Sequence, residues 1–165
     1  MSDGEQIIPD QFPLASQNKF ILNFNWRFSM KIFIVCSKYI YEKIPPIKES
    51  LEKSGHIVTT PNSFHDPFKE EEMKKVGAEE HKEWKSGMLR LQKQKVLDND
   101  AVLVLNMEKN GMPNYIGGAT FIEIYQAFDS GKKIFFYNPL PENFLTDELL
   151  AMDPVVINCD LDLIQ

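Results

Sequence analysis

The sequence predicts an α/β fold built on a parallel sheet, and three observations predict it. Apolar runs such as "KIFIVC" (31–36) and "AVLVLN" (101–106) carry no polar alternation, as expected of strands covered on both faces. Longer segments of mixed polar and apolar residues fall between them. Glycine and proline punctuate the junctions, at Pro45-Pro46, Gly55 and Gly131.

The chain has 165 residues, a length suited to one domain, and 43% of them are hydrophobic, enough for a real core. Residues 1–29 read differently from the rest. "MSDGEQIIPDQFPLASQNKF" is polar and aperiodic, and "ILNFNWRF" is a short aromatic run suited to an extra surface strand. This stretch is too short and interrupted to span a bilayer and lacks signal-peptide architecture. It is expected to be an extension, non-native or poorly ordered, that carries no chemistry. The domain is expected over residues 30–165.

From Met30 onward strand and helix alternate. After 31–36, "IPPIKESLEKSG" has prolines suited to a helix start and a glycine suited to its stop. "HIVTTP" (56–61) reads as the second strand. "NSFHDPFKEEEMKKVGAEE" is a loop with some helix. "EEHKEWKSGMLRLQKQKVLDND" is a helix whose apolar positions, Trp84 to Val96, spread over more than one face. "AVLVLN" is the third strand, "TFIEIYQAFDSG" a helix, "KIFFYN" (133–138) the fourth strand, "ENFLTDELLAM" a short helix and "PVVIN" (154–158) the fifth strand. Strand–helix alternation favours right-handed crossovers between parallel strands. The expected architecture is therefore flavodoxin/Rossmann-like: five strands in the order 2-1-3-4-5, with helices on both faces.

Ligands of such sheets bind beyond the carboxyl ends of the strands, where the strand order reverses. That rule gathers Cys36-Ser37-Lys38, residues 60–64, residues 106–118 and Asn138-Pro139 around one mouth. The first turn, "CSKYIYEK", has no glycine, which argues against a dinucleotide. The spacing of His56, His65 and His81 matches no metal motif. No cofactor and no metal are expected. The net charge of −6 argues against a nucleic-acid polymer, although backbone donors could still hold a ligand with one phosphate. Cys36 and Cys159, in or beside apolar runs and outside any Cys-x-x-Cys pair, read as buried free thiols of a reduced, cytoplasmic compartment, with no membrane partner.

Chemistry concentrates in "NMEKNGMPNYIGGATFIEIYQAF" (106–128), which leaves the third strand. Two readings of Glu123 stay open. Thr120 and Glu123 have the T-x-x-E spacing of a capping box, with Gly117 and Gly118 giving the backbone freedom to enter the helix. Alternatively, Glu123 is a nucleophile kept ionised by the helix N-terminus, suited to attack on a sugar anomeric carbon. Asn106 and Asn114 could read a base edge or sugar hydroxyls, Tyr115 could stack on a base, and Ser37 could donate to a phosphate or a hydroxyl. Turn chemistry and packing explain the same residues. Lys109 reads as a solvated loop charge or a phosphate contact. Asp98 and Asp100 lie at the wrong end of the third strand to act as the general acid, and His56 reads as structural.

"KIFIVCS", "LEKSGHIVTTP" and "DNDAVLVLNMEKNGMPNYIGGATFIEIYQAFDSGKKIFFYNPLPE" resemble the nucleoside 2-deoxyribosyltransferase-like superfamily over residues 30 to 142. The family pattern D-x-G-[ST]-x-x-E-x-G-x-A carries a nucleophilic Glu. On that match Thr120 is the small hydroxyl residue, Glu123 the nucleophile and Ala127 the closing alanine. The family's substrate-holding Asp falls on Gly117, and its glycines fall on Ala119 and Tyr125. The form "NYIGGATFIEI" is similar to a less characterised branch. The resemblance implies an N-glycosidic-bond enzyme for a nucleoside, deoxynucleoside or 5′-monophosphate, either a transferase or a hydrolase. A nucleotide-sensing module on the same fold is the alternative. Ser37, Asn106, Asn114, Tyr115, Gly117, Gly118 and Thr120 make up the expected substrate-contacting set around Glu123. A homodimer is expected as well, from the resemblance and from the apolar spread on the Trp84 helix.

Overall fold

A computed structural model describes residues 29–165. The expected extension, including the "ILNFNWRF" run, lies outside the described residues except for Ser29, whose hydroxyl donates to the Gly55 carbonyl at 2.7 Å. The sheet has five strands, all parallel, in the order 2-1-3-4-5. They are β1 (Lys31–Val35), β2 (Ile57–Thr59), β3 (Ala101–Val104), β4 (Lys133–Phe136) and β5 (Val155–Val156). The helices are α1 (Ile44–Lys53), α2 (Lys69–Val76), α3 (Ala78–Asp98), α4 (Gly118–Asp129) and α5 (Thr146–Ala151). Among the described residues no helix is long and apolar enough to cross a membrane.

Strand alternation sorts the core into two layers. Ile32, Ile34, Leu103 and Leu105 face one side, where α1 brings Ile44, Ile47 and Leu51. Phe33, Val35, Val102 and Val104 face the other, where Val96 of α3, Ile124 and Ala127 of α4 and Leu149 of α5 meet them. Both faces of the central strands are therefore apolar, which is why β1 and β3 read as unbroken apolar runs. β2 and β5, the edge strands among the described residues, are shorter than their sequence runs.

The punctuation acts where it was expected. Pro45 and Pro46 open α1, where no amide is needed. Gly55, just beyond α1, has φ +93°, a backbone conformation costly for any other residue. His56 is buried and its Nδ1 accepts from the Met30 amide at 3.2 Å, a structural role. Asp100 accepts from the Lys31 amide at 2.8 Å at the amino end of the sheet, away from the mouth. Cys36 is buried, but Cys159 is exposed, which corrects the expectation of two buried thiols. It sits in a turn beyond β5, at φ 65°, and not in the strand.

Candidate active site

Beyond the carboxyl ends of β1 and β3, where the strand order reverses, lies a cavity of about 240 Å³. Its floor comes from Cys36 and Ser37 after β1 and from Gly117 to Thr120 and Glu123 of α4. Its roof comes from Glu70 of α2 and from Trp84, Lys85, Met88 and Gln92 of α3. A 3₁₀ helix, Lys38–Lys43, adds Tyr39 and Tyr41 at one side. Lys109, from the loop after β3, closes another.

The capping box does not form. Gly117 is the N-cap of α4, no side chain caps it, and the Phe121 amide already donates to the Gly117 carbonyl at 2.9 Å. Thr120 is thus inside the first turn and Glu123 lies beyond it. The helix dipole acts mainly within the first turn, so it does little to keep Glu123 ionised. Burial dominates instead and pushes the Glu123 pKa up to about 7, against a hydrogen bond from Gln92 and the charges of Lys95 and Lys85. The expected ionised carboxylate is replaced by one that titrates near neutral pH, because Glu123 is only 4% exposed.

Its two oxygens differ. Oε1 accepts from Gln92 Nε2 at 2.7 Å. Oε2 makes no hydrogen bond among the described residues, yet it is not sealed away from solvent. Glu123 lines the cavity, so Oε2, with no hydrogen-bond donor among the described residues, is the oxygen left for a ligand.

The neighbouring groups hold their protons or charges firmly. Burial, and then the Glu123 charge, push the Cys36 thiol up, so it stays protonated. Burial raises Tyr41 to about 12 despite its hydrogen bond with Ser63, whose oxygen lies 2.9 Å away. Burial pushes Glu70 upward, but hydrogen bonds from Lys85 and His81 outweigh it and hold Glu70 below the usual carboxylate range. Lys85 donates to both Glu70 oxygens at 3.1 Å, and His81 Nε2 lies 3.3 Å from one of them. Lys38 is paired with Glu71. Lys109 has no carboxylate partner among the described residues. Its ammonium lies 4.5 Å from the Tyr39 ring centre and 4.3 Å from that of Tyr115.

No protein-family model matches this chain, and no curated protein matches it. The site is therefore described by its own geometry.

Of the residues singled out in the sequence, the cavity brings together Ser37, Gly117, Gly118, Thr120 and Glu123. Asn106 lies beneath the mouth, fully buried, and clamps β3 to the end of β4. Its amide donates to the carbonyls of Asn138 and Pro139 at 3.1 and 2.7 Å, and its oxygen accepts from the Asn138 amide at 2.9 Å. Those bonds occupy both its donor and its acceptor. Asn114 turns the loop at φ 52°, a left-handed conformation that asparagine tolerates better than most residues. Tyr115 does not line the cavity, but its ring supports Lys109, which does. A Cβ on Gly117 would lie 3.4 Å from that ring, an ordinary contact, so the Tyr115 ring packs directly over Gly117.

Sequence reasoning missed the roof. Trp84, Met88 and Gln92 recur every fourth residue on α3 and share one helical face. That mixed stripe of two large apolar side chains and an amide was the available signal. It also accounts for the apolar spread on this helix: Trp84 and Met88 face the cavity while Val96 faces the core.

Proposed function

We propose that this protein is an N-glycosidic-bond enzyme acting on a nucleoside, a deoxynucleoside or its 5′-monophosphate. The observation that carries the proposal is the Glu123 carboxyl, nearly sealed in the protein, with one oxygen tethered and the other open to the cavity. Oε2 forms a bond to C1′ as the C1′–N bond breaks, and the electron pair leaves with the base, which takes a proton from water. Water or a second base then attacks C1′ and frees the carboxylate, giving hydrolysis or transfer respectively. The positive oxocarbenium-like transition state favours ionised Glu123. The aromatic lining from Trp84 and Tyr39 suits a base, and Lys109, without a carboxylate partner among the described residues, suits a 5′-phosphate. The resemblance to nucleoside 2-deoxyribosyltransferase-like proteins supports the same chemistry. We extend the proposal to a cytoplasmic homodimer. The exposed residues Ile122, Tyr125 and Phe128 along α4 support the dimer.

A non-catalytic nucleotide-binding module is the second reading. One observation favours it: burial leaves Glu123 without a firm hold on its ionised form at neutral pH. Base release from a panel of nucleosides and nucleotides, with and without an acceptor base, separates the two. The expected result is release from at least one panel member, faster above pH 7. Binding of a panel member without release from any would favour the module.

A further inference from the structure

We propose that Gln92 is the positioning residue of this site, fixing Oε1 of Glu123 so that Oε2 alone meets the ligand. The inference rests on the reading of Glu123 as the reacting carboxylate. It begins from the packing of α3 against α4, which brings together two side chains 31 residues apart in sequence. The contact is 2.7 Å, at the short end for an N–H···O bond and in keeping with a charged acceptor.

The residue type matters as much as the distance. An arginine at this position could engage both carboxylate oxygens and leave none for a ligand. A lysine would hold the carboxylate ionised permanently. An amide engages one oxygen and has a second option. Through Nε2 it donates to the carboxylate, and after a flip its own oxygen can accept from the protonated acid. Gln92 can therefore hold Glu123 in both protonation states, which a cation cannot do.

The other groups around Glu123 leave this task to Gln92. Lys95 donates to the Thr60 carbonyl at 2.6 Å, and Lys85 is engaged with Glu70. Both act on Glu123 through charge, without a hydrogen bond to it. Cys36 at the end of β1 stays a thiol, and Tyr41 is paired with Ser63. Glu70, across the cavity on α2, is ion-paired with Lys85 and hydrogen-bonded to His81.

The test replaces Gln92 by Met, which keeps the length and removes the amide, and separately by Glu, which adds a like charge. The Glu123 carboxyl is followed by carbon-13 NMR, with its signal assigned by its absence in Glu123→Gln. In wild type it should titrate near pH 7. Gln92→Met should raise the midpoint by about one unit, since a hydrogen bond to the charged form is lost. Gln92→Glu should raise it further. Base release by Gln92→Met, measured above its new midpoint, should lose at least about tenfold in kcat with little change in KM. An unmoved midpoint in either folded variant would overturn the positioning role, whatever the activity. Failure of the glycosidic reading would be seen elsewhere, as absence of base release by wild type, while the titration still reports on Gln92.

Discussion

On the floor of the cavity Glu123 and Thr120 descend from α4, a helix whose Ile124 and Ala127 are sealed against the sheet. On the roof Glu70 descends from α2, a helix that buries none of its residues. The floor is fixed by apolar burial, which salt barely touches. The α2 side of the roof is tied by ion pairs, Glu71 to Lys38 and Glu70 to Lys85, with a hydrogen bond from His81 to Glu70, and charges at a surface are screened. The difference teaches where order and movement belong in this molecule. Apolar burial is expected to make the wall that carries Glu123 the stiffer one, and ion pairing the α2 wall the more yielding one.

Protons sort the two walls in opposite directions. Glu123, raised from 4.5 to about 7, binds its proton more tightly in the folded state, so it costs stability as pH rises through that window. Glu70, held below the usual carboxylate range, contributes stability above that range and loses it as pH falls through its depressed pKa.

The largest expected effect comes from cutting into the floor. Ile124 is 0% exposed, and Ile124→Ala should cost about 2–5 kcal/mol of global stability in chemical denaturation. A loss under about 1 kcal/mol would mean that α4 is not anchored as the packing indicates. The roof should behave differently. Glu70→Gln should cost under about 1 kcal/mol globally, the scale of a partly exposed ion pair. Protection of the amides of residues 69–76 against hydrogen exchange, relative to their intrinsic rates, should nonetheless fall, as it should in wild type at high salt or in acid. Equal protection of α2 and α4 under those conditions would erase the distinction between the walls.

The same contrast explains what the sequence could and could not disclose. Strands buried on both faces must be apolar throughout, so "KIFIVC", "AVLVLN" and "KIFFYN" announced a parallel sheet, and the order followed from crossover rules. The place of Glu123 at the cavity was legible because α4 leaves β3 at the reversal of strand order. The start of α4 was not, since T-x-x-E fits a capping box and only the packed structure puts the N-cap at Gly117. Asn106 looked like a ligand contact because an asparagine at a strand end suits either role, and its partners at residues 138 and 139 are remote in sequence. The α2 part of the roof was hidden for a physical reason as well. A helix held by ion pairs has no apolar stripe to betray it, and six of the eight residues of α2 are Lys or Glu. The stripe on α3 could place Gln92 on the face of Trp84 and Met88, but its hydrogen-bond partner Glu123, 31 residues away on another helix, is not encoded locally.

The central claim is that Oε2 of Glu123 does the chemistry, and base release at pH 8 by wild type and Glu123→Gln tests it most directly. At that pH the carboxyl is largely ionised, and the glutamine keeps its size and can still accept from Gln92. The account predicts that wild type releases base from a nucleoside or nucleotide. The variant, still folded, should lose at least about a hundredfold, or roughly 2.7 kcal/mol of barrier. Release by the variant within about threefold of wild type would contradict it.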